Sequence, residues 1–433
     1  MTKDTMETTM ASHDDGQKPG DVISLVLTAD NHLGYSAFGQ QPRKREVLQQ
    51  RLRQAFQQAT DFALQQKVDL FIQAGDLFDT AVPQERDRSF VAERLSELKQ
   101  AGIQMFALGG LHDIPAAGHV RHGVSDPSPL LSYERLGALH YFSPVADQKL
   151  EPMLLNLHGV QVGISGLSVF TEQDVDPLTG VQVRDGIDRA SFSLLVLHAP
   201  IDGLTTGSSL FEARAQVSRQ SLTELPAFRY VLAGYHHKYS RLTFGQTEVV
   251  VAGTTQHIDF NTPDEVPGFV YLGLAADGIR WCKHIPVESF SLQSLLIPTS
   301  ELWSAEAELQ QNVDPTALIL ERLRPLCGPD MLLLLRLEGE LSRSQYHQLD
   351  LNQIRRYGEE QCFALAIDDS SLVLLSDLDM PSPEAGERFS PREELIALAD
   401  EWIADAFDEH EQKAWRVTKE ELLLALDDLK GRR

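Results

Sequence analysis

Cysteine is scarce: 3 residues in 433, Cys282, Cys327 and Cys362, far apart in the chain, with no CxxC pair and no even framework. That excludes a zinc ribbon and a disulfide-stapled secreted scaffold, and it suggests three buried thiols in a reducing compartment. Long hydrophobic runs are absent as well. No stretch of 18 apolar residues occurs, and the first 20 residues, MTKDTMETTMASHDDGQKPG, are polar and acidic where a signal peptide would be basic and then apolar. The expectation is a cytoplasmic chain with no membrane span and a disordered tail over 1–20. Basic residues are in deficit, 38 Lys and Arg against 63 Asp and Glu, for a net charge of −25. Phosphate affinity rests on clustered Lys and Arg, so a broad nucleic-acid-binding surface is disfavoured. Internal repeats and low-complexity tracts are missing too.

What is present is an ordinary globular composition, 42% hydrophobic and 7% aromatic, in a chain long enough for a large domain with a satellite. From Val22 to about residue 110, apolar strands alternate with amphipathic helices: ISLVL, a helix over 43–66, VDLFIQA, a helix over 84–100, IQMFAL. This is the pattern of βαβ units on a parallel sheet. Between about 130 and 285 strands dominate (ALHYF, MLLNL, VQVGIS, FSLLVLH, FRYVLA, EVVVAG, GFVYLGL, GIRWCKH), with a helix near 217–224. A two-sheet β-sandwich flanked by helices accommodates both halves. A smaller α/β unit follows over 289–380: a helix from Asp314-Pro315, the strand DMLLLLRL, a helix around 343–356, and the strands CFALAI and SLVLL. PSPEAGE, 381–387, reads as a linker. Capping boxes at Ser390–Glu393 and Thr418–Glu421 then open two short helices with apolar stripes, Leu395, Leu398, Trp402 and Phe407 on one and Leu422, Leu426 and Leu429 on the other. That hairpin, within 381–433, is a candidate docking segment.

One local basic cluster stands against the acidic background: PRKREVLQQRLR, with Arg43, Lys44, Arg45, Arg51 and Arg53. It reads equally as a weak DNA contact and as the polar face of a helix whose apolar face is Leu48, Leu52, Phe56, Ala59 and Ala63.

The chemistry-bearing residues sit where strands end. ISLVLT runs into Asp30-Asn31-His32, FIQA into Gly75-Asp76, MFALG into Gly110-Leu111-His112-Asp113, LLVL into His198, and YVLAG into Tyr235-His236-His237. Carboxyl ends of strands are where α/β sheets place their sites. A lone buried histidine is usually a satisfied core residue, but five strand ends each delivering Asp or His point to a metal. Carboxylate oxygens with imidazole nitrogens suit manganese, iron or zinc.

In this order DNH, GDLFD, a GNHD-like segment, a strand ending in His and a GHxH-like segment resemble the motifs of the calcineurin-like metallophosphoesterases. GDLFD and VAGTTQHIDF...PGFVYLGL are similar to the branch of SbcD-type DNA double-strand-break repair exonucleases, strongly over about residues 22–285. The resemblance implies a nuclease domain over 21–288, a capping domain over 289–380 and a C-terminal segment docking on an SMC-like, SbcC-type ATPase. It also implies a homodimer acting on DNA, and two metal ions, Mn2+ in the first instance. One ion would take Asp30, His32, Asp76 and His237. The other would take Asp76 and His198, because its remaining ligand positions hold Leu111, which has no donor atom, and Tyr235, whose phenol ionises near pH 10. His236 is a poor substitute, since adjacent residues on an extended segment point in opposite directions. His112 would stabilise or protonate the leaving group, with Asp113 orienting its ring. One tight ion and one weak site follow.

Three functions remain open on this footing: a metal-dependent DNA phosphodiesterase, a catalytically impaired scaffold that binds the ATPase and DNA, and an enzyme for a small phosphodiester. Fold alone does not choose among them.

Overall fold

The structure is a computed structural model. It describes residues 21–375, apart from 38–40, 115–119, 122–123, 126–127, 144–148, 169–174, 205–215, 226, 259, 261–264 and 304–313, together with residue 419. The tail over 1–20, the linker and the C-terminal helical hairpin expected over 381–433 lie outside the described residues.

Two six-stranded sheets form the body. The first contains β1 (Ile23–Thr28), β2 (Leu70–Ala74), β3 (Gln104–Leu108), β4 (His140–Phe142) and, later in the chain, β11 (Gly268–Ala275) and β12 (Gly278–Pro286), in the order β12-β11-β1-β2-β3-β4. The second contains β5 (Met153–Leu157), β6 (Val160–Ser168), β7 (Phe192–His198), β8 (Tyr230–Gly234), β9 (Ser240–Phe244) and β10 (Thr247–Val251), in the order β9-β10-β8-β7-β6-β5. Strands β1 to β4 are mutually parallel, as are β6, β7, β8 and β10. The inner strands ISLVLT, LFIQA, FSLLVLH and YVLAG are buried along their whole length. Continuous apolar strands of this kind are stable only when both faces are covered.

One face of the first sheet meets the second sheet through Leu25, Leu27, Ile72, Leu194, Val196, Leu232 and Val270. The other face is covered by α1 (Pro42–Gln66) and α2 (Glu85–Gln100) through Leu52, Phe56, Ala59, Val91 and Leu95. Each fully buried Leu or Val contributes roughly 1.5–3 kcal/mol relative to exposure, which makes these layers the main source of stability. The fold is the helix-flanked two-sheet sandwich expected from the sequence.

A three-stranded sheet follows, β13 (Ser291–Pro298), β14 (Met331–Ser342) and β15 (Ala364–Leu375), with α3 (Pro315–Leu323) and α4 (Leu351–Gln361). Ile297, Leu333, Leu335, Leu337, Ile319, Leu323 and Ile354 form its own core. Residues 21–341 and 345–373 belong to one compact unit; the second unit, 342–344 with the chain from 374 onward, lies almost wholly outside the described residues.

Several local expectations change. CFALAI and SLVLL are one strand, because the intervening Asp368-Asp369-Ser370-Ser371 stays extended at a surface where polar side chains are tolerated. The helix around 343–356 is two, Arg343–Gln348 and Leu351–Gln361, the second capped by Asp350, whose carboxylate accepts the Gln353 N–H at 2.8 Å. Cys327 and Cys362 are not free thiols: 35 residues apart in sequence, they meet as a disulfide, while Cys282 remains free. Sequence spacing carries no information about such a pairing.

Candidate metal centre

Five parallel strands, β1, β2 and β3 of one sheet and β7 and β8 of the other, end on the same edge of the sandwich and bring their terminal residues together. Three overlapping groups of ligand atoms result, each within 4.8 Å: Asp30, His32 and His237; His32, Asp76 and His112; Asp30, Asp76 and His198. Asp30 and Asp76 each belong to two groups. Leu111 and Tyr235 bring neither a carboxylate nor an imidazole.

The backbone is bent to make this possible. Four of the six non-glycine residues with positive φ among the described residues are Asp30 (48°), His32 (45°), Asp76 (52°) and Tyr235 (82°). Such conformations cost on the order of 1–3 kcal/mol each and persist where surrounding contacts over-determine them. Those contacts are present. Asp30 N–H donates to the Gly75 carbonyl at 3.0 Å and His32 N–H to the Asp76 carbonyl at 3.1 Å, locking the ends of β1 and β2 together. Tyr235 N–H donates to both carboxylate oxygens of Asp30, at 3.0 and 3.2 Å, and His112 N–H donates to Asp76 Oδ1 at 2.9 Å. Two of the glycines are required by space: a Cβ on Gly75 would fall 2.0 Å from His198 Nδ1, and one on Gly110 would fall 2.0 Å from Asp76 Oδ1.

The histidine tautomers follow from their neighbours. His198 Nδ1–H donates to the Ala74 carbonyl at 2.8 Å, which leaves Nε2 facing Asp76 Oδ2 at 3.2 Å but out of hydrogen-bond alignment. His32 Nδ1 faces Asp79 Oδ1 at 3.1 Å, and its Nε2 is buried with no hydrogen-bond partner. Two buried imidazole nitrogens without hydrogen-bond partners, aimed among carboxylates, are the donor set that a divalent cation needs once they are deprotonated. The residues fit a metal.

The electrostatics agree. Burial by itself would push the Asp76 carboxyl up and the His198 ring down. Their mutual charge reverses both, holding Asp76 below the ordinary carboxylate range and pushing His198 up to about 9. Asp30 goes the other way, raised by burial that outweighs its histidine neighbours. Without a cation the cluster retains a proton on His198.

One expected role is corrected. Asp113 does not orient the His112 ring: its carboxylate is fully buried and accepts Gly110 N–H at 2.7 Å and Leu77 N–H at 2.9 Å, so it shapes the two loops instead. The group at His112 Nδ1 is Asp79, with its carbonyl at 3.3 Å and carboxylate at 3.4 Å. Asp79 is the second aspartate of GDLFD, and its place at the tip of that motif was the available signal. His236 is buried, and its Nε2 accepts Ile201 N–H at 2.8 Å, which turns the ring away from the ligand cluster. Leu111 and His112 stand at the mouth, 45% and 48% exposed. The Tyr235 ring lies 5.7 Å from that of His198.

The basic cluster on α1 is largely spent on packing. Lys44 Nζ donates to the Glu359 and Cys362 carbonyls at 2.8 and 3.3 Å, Arg51 pairs with Glu288 and Asp330, and Arg53 with Asp87. Arg43 is exposed and Arg45 partly so.

Residues 23–238 match the model of the calcineurin-like phosphoesterase family. The chain carries a calcineurin-like phosphoesterase domain. The whole ligand cluster lies inside it. Among curated relatives, a DNA double-strand break repair protein Mre11 from Methanopyrus kandleri is 29% identical over 42% of this chain and 38% of its own length. Mre11 proteins from Methanosarcina acetivorans and Archaeoglobus fulgidus are each 23% identical, over 69% and 66% of this chain and 45% and 62% of theirs. The chain thus spans between about two fifths and three fifths of the length of these relatives. A dimetal phosphatase from Danio rerio aligns over 61% of this chain and 99% of its own at 12% identity and a TM-score of 0.34. Among the described residues no helix is long and apolar enough to cross a membrane.

Proposed function

We propose that the phosphoesterase domain is a metal-dependent DNA phosphodiesterase, a nuclease of double-strand-break repair that works with an SMC-like, SbcC-type ATPase in the cytoplasm. The observation that carries this is the convergence of Asp30, His32, Asp76, His198 and His237 at one sandwich edge, with the buried Nε2 atoms of His32 and His198 aimed into it. Asp30, His32, Asp76 and His237 would hold one cation tightly, and Asp76, His198 and Asp30 a second one weakly. When bound, a divalent ion supplies Lewis-acid activation of water and of a phosphate oxygen.

The chain's own residues then divide the work. Asp79 holds His112 at Nδ1, which leaves Nε2 as the nitrogen offered to an incoming phosphodiester. His112, half exposed, is the group able to donate a proton to the leaving oxygen. Tyr235 N–H keeps the Asp30 carboxylate oriented. The weak relatives named for DNA double-strand break repair support DNA over a small phosphodiester as substrate. Residues 289–380 would serve as a cap beside the site, 381–433 as the ATPase-docking segment, and two chains would pair as a homodimer.

The alternative is an impaired, nuclease-like scaffold that binds the ATPase and DNA, and it is favoured by Leu111 and Tyr235 at two ligand positions. The deciding experiment is Mn2+-dependent hydrolysis of linear duplex DNA by the purified chain, with Asp76→Ala in parallel. Activity that vanishes in Asp76→Ala supports the enzyme. No hydrolysis by the wild-type chain, either alone or with an SMC-like ATPase, leaves the scaffold.

A further inference from the structure

Behind the ligand cluster lies a second, fully buried polar network whose side chains are not themselves among the ligand groups. Asn31, the middle residue of DNH, is 0% exposed; its Nδ2 donates to Thr28 Oγ1 at 2.9 Å and to Thr255 Oγ1 at 3.0 Å. Its Oδ1 accepts Gln73 Nε2 at 2.8 Å. Gln73 in turn closes its side-chain amide on one peptide unit's neighbours: Oε1 accepts Gly75 N–H at 2.6 Å and Nε2 also donates to the Gly75 carbonyl at 3.2 Å. Every donor of both amides is used. Thr254 completes the cage by donating its hydroxyl to the Asp30 carbonyl at 2.8 Å.

Polar side chains of this size are costly in a core unless fully satisfied, and a satisfied network fixes a single arrangement of the backbone it touches. The backbone touched is that of the ligand loops. Gly75 has φ +100°, precedes Asp76, receives the Asp30 N–H on its carbonyl, and lies so close to His198 that no Cβ fits. The network therefore ties the end of β1, the end of β2 and the loop after β10 to one another beneath Asp30, Asp76 and His198.

We infer that Asn31 and Gln73 are positioning residues of the metal centre: their amides hold Gly75, and with it the left-handed backbone of Asp30 and Asp76 and the His198 ring packed against Gly75, so that these side chains are directed to a common ion. The inference rests on the metal-dependent reading of the site, and it concerns ion affinity rather than turnover. Without the network, the two carboxylates retain their chemistry but sample the more favourable negative-φ conformations, and the ion loses preorganised ligands.

The test is Mn2+ titration by calorimetry of the full chain and of Gln73→Met, which keeps length and volume while removing the amide. Thermal unfolding in chelator reports the fold separately. The expected result is a Mn2+ affinity weaker by about 10- to 100-fold, the range typical of groups that orient metal ligands. A variant that unfolds cooperatively in chelator yet binds Mn2+ like wild type overturns the inference. Should Gln73→Met not fold, Thr255→Val, which removes one acceptor of Asn31 without opening a cavity, decides the matter: a weakened affinity sustains the inference and an unchanged one overturns it. A wild-type chain that binds no Mn2+ defeats the proposed function itself, and this inference with it. Wild-type binding with an unaffected variant defeats the inference alone.

Discussion

The two halves of the metal centre are built alike and furnished differently. On one side Asp30, His32 and His237 gather within 4.8 Å, with His32 oriented by Asp79; on the other, Asp30, Asp76 and His198 do the same, but the neighbouring positions carry an exposed Leu111 and Tyr235. The backbone does not register that difference. The left-handed residues, the Gly75 contact on His198 and the Tyr235 N–H on Asp30 serve both halves. Scaffold geometry and ligand inventory are thus separable: the strained loops are kept where Leu111 and Tyr235 bring neither a carboxylate nor an imidazole.

The comparison breaks most completely at Asp76, which the proposed ligand sets place on both ions. Asp76→Ala is expected to lower Mn2+-dependent DNA hydrolysis by on the order of 10³-fold, as loss of a principal electrostatic group does. Steady-state rates on linear duplex measure this, and a rate within tenfold of wild type would remove Asp76 from the site.

The halves part company under His237→Ala and His198→Ala. Elemental analysis of the gel-filtered wild-type chain should find one tight ion per chain; His237→Ala should lose it, and His198→Ala should keep it with an affinity reduced by about tenfold or less. Two tight ions in the wild type would mean that the second half is complete after all.

Protonation sharpens the contrast in the metal-free chain. His198 has a folded-state pKa of about 9, above the ordinary 6.5, because the buried Asp76 carboxylate favours its charged form against the cost of burial. A raised pKa stabilises the fold fully below pH 6.5, and that contribution disappears as pH rises through about 9. Chelated protein should therefore lose stability across this window, by at most about 1.4 kcal/mol per pH unit for one proton. His198→Gln should flatten the slope in denaturant titrations at several pH values. An unchanged slope would mean that His198 is already neutral.

The smallest effect is a gain. Leu111→Asn combined with Tyr235→His supplies the two donors that the second half lacks, and should raise Mn2+-dependent hydrolysis by about tenfold while adding a second ion per chain. No gain in either would show that these positions do not face the second ion.

Much of this was written in the chain. Apolar runs of strand length that end in Asp or His, alternating with amphipathic helices, specify both the parallel order and the edge on which the site lies, because parallel strands share a carboxyl end. Asp30, His32, Asp76, His198 and His237 were legible for that reason. Asp79, Asn31 and Gln73 were harder. An aspartate at a motif tip, an amide between two ligands and an amide within an apolar strand resemble ordinary surface or defect residues until their partners are known. The role of Asp113 was misjudged because adjacency to His112 in sequence says nothing about where a carboxylate turns when two backbone N–H groups compete for it.

By itself, then, the sequence determined the layers, the strand ends and the inventory of ligand atoms, since periodicity and residue chemistry are local properties. Only the tertiary structure decided which nitrogen of each histidine faces the centre, that His236 turns to Ile201, that Lys44 is spent on the Glu359 carbonyl, and that Cys327 meets Cys362. Each of those outcomes depends on groups 35 to 315 positions apart in the chain, and no local pattern encodes a contact that exists only after the sheets have closed on one another.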